Sequence, residues 1–324
     1  MSENKRLGDF KRVVDAALEH GRVFIAGHIN PDGDAVGSCF ALAVYFAHLG
    51  IVPCILLEEF SDRFDALPGA EYVHRGQEIV DGEVLICLDC ATKERLGPAL
   101  SLFDRAALTV AIDHHVSNTL YSMINIIDDK ASSACELMYL LLEGIGAGIT
   151  IDMAEALYTG IIADTGCFRH SSTTARTHIV TAKLIQTGVD FGGIIRKVIY
   201  EHSEVEAAAF AAVINGMRIV PDLRLALSGL DYEQLESIGA KGSDLEGIVE
   251  YMLNTVGVEA AAMLSEREPG LVNVSLRSVK LNVNEIAKTF GGGGHVNAAG
   301  CRLRGTMREA ADMIEQAVRK VYGT

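Results

Sequence analysis

What most constrains the fold is a series of short, uninterrupted apolar runs in the first third of the chain, at residues 22–26, 52–57, 84–88 and 108–112. A strand with one wet face alternates apolar and polar residues. A strand covered on both faces does not, so these runs predict a parallel sheet with helices on either side. Between the first two runs, residues 35–49 carry helical apolar spacing that stops at Gly50, which makes a strand-loop-helix unit. The expectation is a doubly wound, mainly parallel-sheet α/β domain.

Further along, Ser133-x-x-Glu136 predicts a capping box that opens a helix to Leu142. Asp152-x-x-Glu155 predicts a second helix, to about residue 163, and Thr174 caps a third that Gly188 closes. The Ala-rich pattern of residues 191–215 is helical, and residues 217–227 then change to strand, Pro-Asp turn and strand. The expected division is a catalytic domain over 1–190, a helical connector over 191–216 and a smaller α/β domain over 217–324. In that last domain the pattern reads helix (245–255), strands (259–264 and 272–277) around Glu268-Pro269-Gly270, helix (284–290), glycine run, strand, and a helix from Met307.

Composition narrows the partners. With 28 Lys+Arg and 43 Asp+Glu the formal charge is 28 − 43 = −15, which argues against nonspecific attraction to a long nucleic acid but leaves a short or metal-bridged phosphate open. At 49% hydrophobic, 22% charged and only 6 Pro, the chain is not predominantly disordered. No stretch approaches the roughly 18 uninterrupted apolar residues of a membrane helix, and charges occupy the start where a signal peptide needs an apolar region. A cytoplasmic protein with no membrane partner is the expectation. Its seven cysteines (Cys39, Cys54, Cys87, Cys90, Cys135, Cys167 and Cys301) are odd in number and scattered, which fits reduced thiols. Cys87-x-x-Cys90 has no second pair to complete a zinc site, and Cys87 lies inside an apolar run, so both read as buried structural thiols.

In an open α/β sheet, ligands bind beyond the carboxyl ends of the strands. Past the first run lies Gly27-His28-Ile29-Asn30-Pro31-Asp32-Gly33-Asp34, past the third Asp89, and past the fourth Asp113-His114-His115. Asp164-Thr165-Gly166 ends a predicted helix. One acid at a strand end is ordinary turn chemistry; several in succession, two accompanied by histidine, are not. His28, Asp32, Asp34, Asp89, His114 and Asp164 together supply four carboxylates and two imidazoles. Carboxylates gathered without compensation repel one another and raise their own pKa values. Two divalent cations would cancel the four negative charges. Hard oxygens mixed with imidazole favour Mn²⁺, with Mg²⁺, Co²⁺ or Fe²⁺ as alternatives, over a thiolate-rich zinc site. Two metals about 3.5–4 Å apart can share a bridging hydroxide and clamp a phosphoryl group for in-line attack, which makes phosphoester hydrolysis the natural chemistry.

These residues resemble a known family. His28-x-x-x-Asp32-x-Asp34, Asp89, Asp113-His114-His115 and Asp164 are similar to the four motifs of the DHH phosphoesterases. Residues 284–300, with Gly291-Gly292-Gly293-Gly294-His295 and Ala298-Ala299-Gly300, resemble the companion DHHA1 domain. The chain is similar to the compact branch of bifunctional oligoribonuclease/pAp phosphatases (nanoRNases), for it shows no N-terminal sensor, membrane segment or added nucleic-acid-binding domain. The resemblance implies that His28, Asp32 and Asp89 hold one metal while Asp34, Asp89, His114 and Asp164 hold the other, with Asp89 bridging. It further implies that Asp113 orients a histidine and that His115 faces the substrate phosphate as hydrogen-bond donor or leaving-group acid. Arg277 takes the place of the family's substrate-reading arginine, able to grip phosphate bidentately. Bare N–H groups of Gly292, Gly293 and Gly294 beside His295 make an anion pocket. Arg169, His170 and Ser172, after the last ligand, are further phosphate contacts. Cys90 has no assigned role. Residues 265–308 hold seven Lys/Arg against three Asp/Glu, a local 7 − 3 = +4 in an acidic chain.

The expected protein is a metal-dependent phosphohydrolase with its site in the cleft between domains, metals on the first and substrate-end recognition on the second. Its expected substrates are oligoribonucleotides of about two to five nucleotides, pAp, or both, with no long duplex. Cyclic di-AMP or pApA hydrolysis is the main rival. Exopolyphosphatase or pyrophosphatase activity fits less well, because Arg277 and the glycine loop resemble the nucleotide-handling branch; a noncatalytic nucleotide sensor fits less well, because none of the six ligand positions is missing. If the protein assembles, a homodimer is the first expectation.

Overall fold

A computed structural model describes residues 2–74 and 84–322. The chain forms two compact units, Met1–Glu201 and His202–Thr324. The first contains, in order, α1 (Glu3–His20), β1 (Arg22–Ala26), α2 (Gly33–His48), β2 (Val52–Leu56), β3 (Val84–Leu88), α3 (Leu100–Phe103), β4 (Leu108–Asp113), β5 (Ile124–Ile127), α4 (Ala134–Gly144), α5 (Ile151–Asp164), α6 (Ala175–Gln186) and α7 (Phe191–Ile195).

Its five-stranded sheet has the order β2-β1-β3-β4-β5, every neighbouring pair parallel. Val23, Ile25, Val84, Ile86, Val110 and Ile112 join one core with residues of α1, α2, α4 and α5. Phe24, Ala26, Leu85 and Cys87 join another, with Leu102 of α3. Successive side chains of one strand point to opposite faces, and both faces are covered. That is why the runs show no polar alternation. From β1 the sheet grows one way to β2, and from β3 the other way to β4 and β5, so a crevice opens at the carboxyl ends of β1 and β3.

The helix starts come partly from other residues than expected. α2 begins at Gly33 because Asp32 caps it, and α5 is capped by Thr150, not Asp152. Ser133 caps α4 as expected. Glu136, however, completes no box: its carboxylate accepts from Ser132, Arg176 and Thr177.

The second unit contains α8 (Glu204–Asn215), β6 (Arg218–Val220), β7 (Leu225–Leu230), α9 (Tyr232–Ile238), α10 (Ile248–Leu253), β8 (Ala260–Glu268), β9 (Leu271–Ser278), α11 (Val283–Thr289), β10 (Gly293–His295), β11 (Ala298–Arg304) and α12 (Met307–Tyr322). Its six strands run β10-β11-β9-β8-β7-β6, with β7-β8 parallel and the other pairs antiparallel. Leu225, Ala260, Val274 and Leu276 pack with α11 and α12 on one face. Ala226, Ala261 and Met263 pack with α8, α9 and α10 on the other. Residues 191–215 are not one helix. α7 stops at Ile195, a π-helical turn spans Arg196–Tyr200, and a reciprocal capping box of Ser203 and Glu206 starts α8 afresh. The division between units at Glu201/His202 falls at this break. No helix among the described residues is long and apolar enough to cross a membrane.

Candidate metal centre

Asp32 divides its two oxygens. Oδ1 accepts the N–H groups of Asp34 (3.0 Å) and Ala35 (3.1 Å), capping α2, while Oδ2 stays 3.7 Å from Nε2 of His28. Nδ1 of His28 lies 2.8 Å from the carbonyl of Ile29. That contact makes Nδ1 the donor and turns Nε2 to the carboxylates. Asp34, only 1% exposed, accepts from the N–H groups of Ala134 (2.6 Å) and Cys135 (2.9 Å), in the first turn of α4, where a helix favours negative charge. Gly160 lets α5 come close enough to bring Asp164 to this place. A Cβ there would lie 2.2 Å from Sγ of Cys135 and 2.9 Å from Oδ1 of Asp34.

Asp89 stands at the end of β3 with φ +52°, a left-handed conformation that an Asp tolerates at some strain. Its Oδ2 lies 3.5 Å from Nε2 of His28, and its Oδ1 3.4 Å from Nε2 of His114. The side chain is buried, yet Oδ1 has no hydrogen-bond partner among the described residues. His114 turns Nδ1 to the carbonyl of Ala131 (3.3 Å), so its Nε2 is 3.8 Å from both Asp34 Oδ2 and Asp164 Oδ2. His28, Asp32 and Asp89 thus form one donor group and Asp34, His114 and Asp164 another, the atoms within each lying within 4.8 Å of one another.

The separations of 3.4–3.8 Å exceed good hydrogen bonds. Donors about 2.1 Å from a common ion are roughly 3.0–3.5 Å apart at octahedral or tetrahedral angles, so the set fits a cation better than a proton. Electrostatics agree. Burial, with the charges of Asp89 and Asp164, pushes the Asp34 carboxyl well up. Burial also lifts Asp164 to about 6, Asp89 and Asp32 adding to it against His114. For His28 burial opposes the protonated ring, but Asp32 and Asp89 outweigh it and carry the pKa to about 10. His114 reaches about 10 in the same way, through Asp89 and Asp34. Each of these shifts favours a proton, on ring or carboxyl, where a cation would otherwise offset the gathered charge.

A third group joins Asp89 and His114 with Asp113 and His115, but Asp113 is occupied otherwise. Fully buried, it accepts on Oδ1 from His114 N (2.8 Å), His115 N (3.2 Å) and His115 Nδ1 (2.7 Å), and on Oδ2 from Asn118 Nδ2 (2.7 Å). Burial works against its charge, yet the bonds from His115 and Asn118 hold its pKa below the usual carboxylate range. The same bond to Asp113 raises the His115 pKa. His115 is 36% exposed, and with Nδ1 bonded to Asp113 its Nε2 is the nitrogen left uncommitted among the described residues.

On the second unit, Arg277 of β9 pairs in register with Ala298 of β11, which pairs with His295 of β10. Arg277, half-buried, donates from Nε to Glu250 Oε1 (2.6 Å) and from Nη1 to the carbonyl of Leu276 (3.1 Å). Gly293, Gly294 and His295 are exposed on the edge strand. Gly292 has a packing role besides its bare N–H, since a Cβ there would lie 2.1 Å from the carbonyl oxygen of Gly300. Arg169 donates from Nε to the carbonyl of Gly166 (2.7 Å), and His170 lies by the Asp164 carbonyl (2.9 Å).

The DHH family, N-terminal domain, matches residues 22–161, and the DHHA1 domain matches residues 229–321. A Mycoplasma pneumoniae protein named as uncharacterized is 31% identical over 281 residues, covering 84% of this chain and 83% of that one. The chain belongs to the DHH family. The bifunctional oligoribonuclease and PAP phosphatase NrnA of Thermus thermophilus is 28% identical over 330 aligned residues, 95% of this chain and 93% of that protein. Among solved structures, an exopolyphosphatase-related protein from Bacteroides fragilis superposes with a TM-score of 0.86 at 27% identity, over 98% of this chain and 96% of that one. As a DHH phosphoesterase the chain is a metal-dependent hydrolase.

Within the DHH domain two residues near the centre carry no motif signal. Arg95 brings Nη2 to 3.2 Å from His28 Nδ1, and its carbonyl accepts from Ile29 N at 2.8 Å. Asn118 follows the Asp113-His114-His115 triplet closely enough that its bond to Asp113 was readable in principle. Cys90 is structural: its thiol donates to the Thr92 carbonyl (3.1 Å), and burial pushes its pKa up to about 11. All seven cysteines are free.

Proposed function

We propose that the chain degrades oligoribonucleotides of about two to five nucleotides to mononucleotides, and removes a phosphate from pAp, in the cytoplasm. The observation that carries this reading is Asp89, which offers one oxygen to each donor group and keeps Oδ1 unbonded in a buried place. His28, Asp32 and Asp89 would hold one divalent cation, and Asp34, Asp89, His114 and Asp164 a second, Mn²⁺ before Mg²⁺ or Co²⁺. When bound, such ions acidify water and offset charge on phosphoryl oxygens.

The chain's own residues do the rest. His115 turns Nε2 to a phosphoryl or leaving-group oxygen as hydrogen-bond donor or acid, while Asp113 fixes its ring through Nδ1 and raises its affinity for a proton. Arg277, His295 and the N–H groups of Gly292, Gly293 and Gly294 hold a terminal phosphate, and Arg169 a further one. The relatives' names support the substrate class: one is a bifunctional oligoribonuclease and PAP phosphatase. Charge supports short substrates. A long strand would meet a chain of net −15 with few cations to replace its counterions.

The test is turnover with Mn²⁺ of a dinucleotide, a 24-mer, pAp and cyclic di-AMP under one condition. The dinucleotide and pAp should be consumed fastest. Cyclic di-AMP turned over faster than either would replace this reading by that of a cyclic-dinucleotide phosphodiesterase.

A further inference from the structure

Asn118 uses every hydrogen-bonding group of its amide. One Nδ2 hydrogen goes to Oδ2 of Asp113 (2.7 Å), and the carbonyl of Cys90 lies 3.3 Å from the same nitrogen. Oδ1 accepts from the N–H of Leu120 (2.8 Å), and the Asn118 main-chain N–H donates to the carbonyl of His115 (3.1 Å). An amide has two donor hydrogens and an acceptor oxygen, and each of these atoms is engaged. Leu120 sits at φ +55°, a strained conformation for this side chain that persists only where surrounding bonds over-determine it. Cys90 directly follows Asp89 beyond β3, and Asp113 ends β4. One side chain therefore ties together the two strand ends that carry Asp89 and the histidine pair.

The bond to Asp113 matters most. Oδ1 of that carboxylate is shared by three N–H groups, whereas Asn118 is the donor to Oδ2. Asp113 is fully buried, and among the described residues no other donor bonds its Oδ2. With Oδ2 unpaired, the carboxylate is free to rotate, and rotation removes the fixed acceptor from Nδ1 of His115.

We infer that Asn118 is a positioning residue for phosphoester hydrolysis: it holds Asp113 so that Nδ1 of His115 stays bonded and Nε2 stays turned to the substrate. This rests on the role given above to His115. It adds a residue that acts through Asp113 and touches neither substrate nor cation.

The experiment is a double-mutant cycle on hydrolysis of bis-p-nitrophenyl phosphate with Mn²⁺, a small ester that does not depend on the choice of natural substrate. Asn118→Ala should lower kcat about 10–100-fold, with KM and bound Mn²⁺ per chain within about twofold of the parent. In a His115→Ala background the same change should cost less than about threefold, because the group it positions is gone. A second readout needs neither activity nor metal. In metal-free protein with ¹⁵N-labelled histidine, the Nδ1–H resonance of His115, assigned by its loss in His115→Ala, should be present in the parent and absent in Asn118→Ala. Asn118→Asp, the same shape with a charge facing Asp113, should lose at least as much activity. Should Asn118→Ala prove insoluble, Asn118→Ser, which keeps one donor, carries the same cycle with a smaller loss. Unchanged kcat, loss of a metal equivalent, or full and independent losses in the two backgrounds would overturn the inference, as would an unaltered His115 resonance. A parent protein inactive on every phosphoester would sink the functional reading instead, and the resonance would still decide whether Asn118 sets the His115 ring.

Discussion

Asp34, Asp89 and Asp113 lie at most 2% exposed at the crevice of the DHH sheet, whereas Gly293, Gly294 and His295 form an exposed edge strand of the DHHA1 sheet. In the first region each acid is held by main-chain N–H groups, a helix start or a strained backbone angle, and two helices meet where Gly160 permits. In the second, Arg277 is held by one half-exposed carboxylate, that of Glu250. The difference teaches where chemistry and recognition separate. On the function proposed above, donors that share ions need fixed positions and low dielectric, and a surface that receives strand ends of varied sequence needs access. Substitutions in the crevice should therefore affect every substrate alike, and substitutions on the edge should discriminate among substrates.

The largest effect belongs to Asp89, which faces both donor groups. Asp89→Ala should reduce Mn²⁺-dependent hydrolysis of every phosphoester by at least about 10³-fold, while circular dichroism and thermal unfolding of the metal-free protein show a folded chain. Near-normal turnover would end the bridging role. Next is His115→Ala, expected to lose about 10²–10⁴-fold in kcat with its metal content intact by elemental analysis; a lost metal equivalent would mean that His115 is a ligand.

Arg277→Ala comes third. It should lower kcat/KM for a dinucleotide or pAp by roughly 10–100-fold, the scale of one charge-assisted contact, and that for bis-p-nitrophenyl phosphate by much less. Equal losses on both would erase the contrast between crevice and edge. The smallest effect is a proton balance. Because His28 and His114 rise to about 10 in the metal-free protein, both rings are protonated at pH 7, and a cation must displace those protons to use Nε2. Mn²⁺ affinity should therefore strengthen as pH rises from 6 toward 9. Calorimetry in buffers of different ionisation enthalpy should detect about one to two protons released per chain; uptake, or no exchange, would contradict the assigned ring roles.

Much of this was legible beforehand for physical reasons. Uninterrupted apolar runs report burial on two faces, and the sheet of β1 to β5 follows. Acids that succeed strand after strand report the crevice, and His28, Asp32, Asp34, Asp89, His114 and Asp164 do come together there. What could not be read depends on contacts between distant residues. Gly160 reads as a weak point within a helix, although it sets the approach of α5 to Asp34. Glu136 looks like a capping partner, but Arg176 and Thr177, about forty residues on, claim its carboxylate. The left-handed turn at Asp89 is invisible because Asp adopts it without a sequence mark. Other signals stand in the sequence itself: Asp231-x-x-Gln234 caps α9, and Ser203-x-x-Glu206 starts α8 within the helical connector.

The central claim is that two groups of donors meet at Asp89. Equilibrium dialysis of the whole protein against Mn²⁺, with elemental analysis of parent and Asp89→Ala, tests it most directly. The parent should bind about two equivalents per chain, and the variant should fall below about one at the same free Mn²⁺. Two equivalents retained by a folded Asp89→Ala protein, or no more than one in the parent under saturating Mn²⁺, would contradict the account.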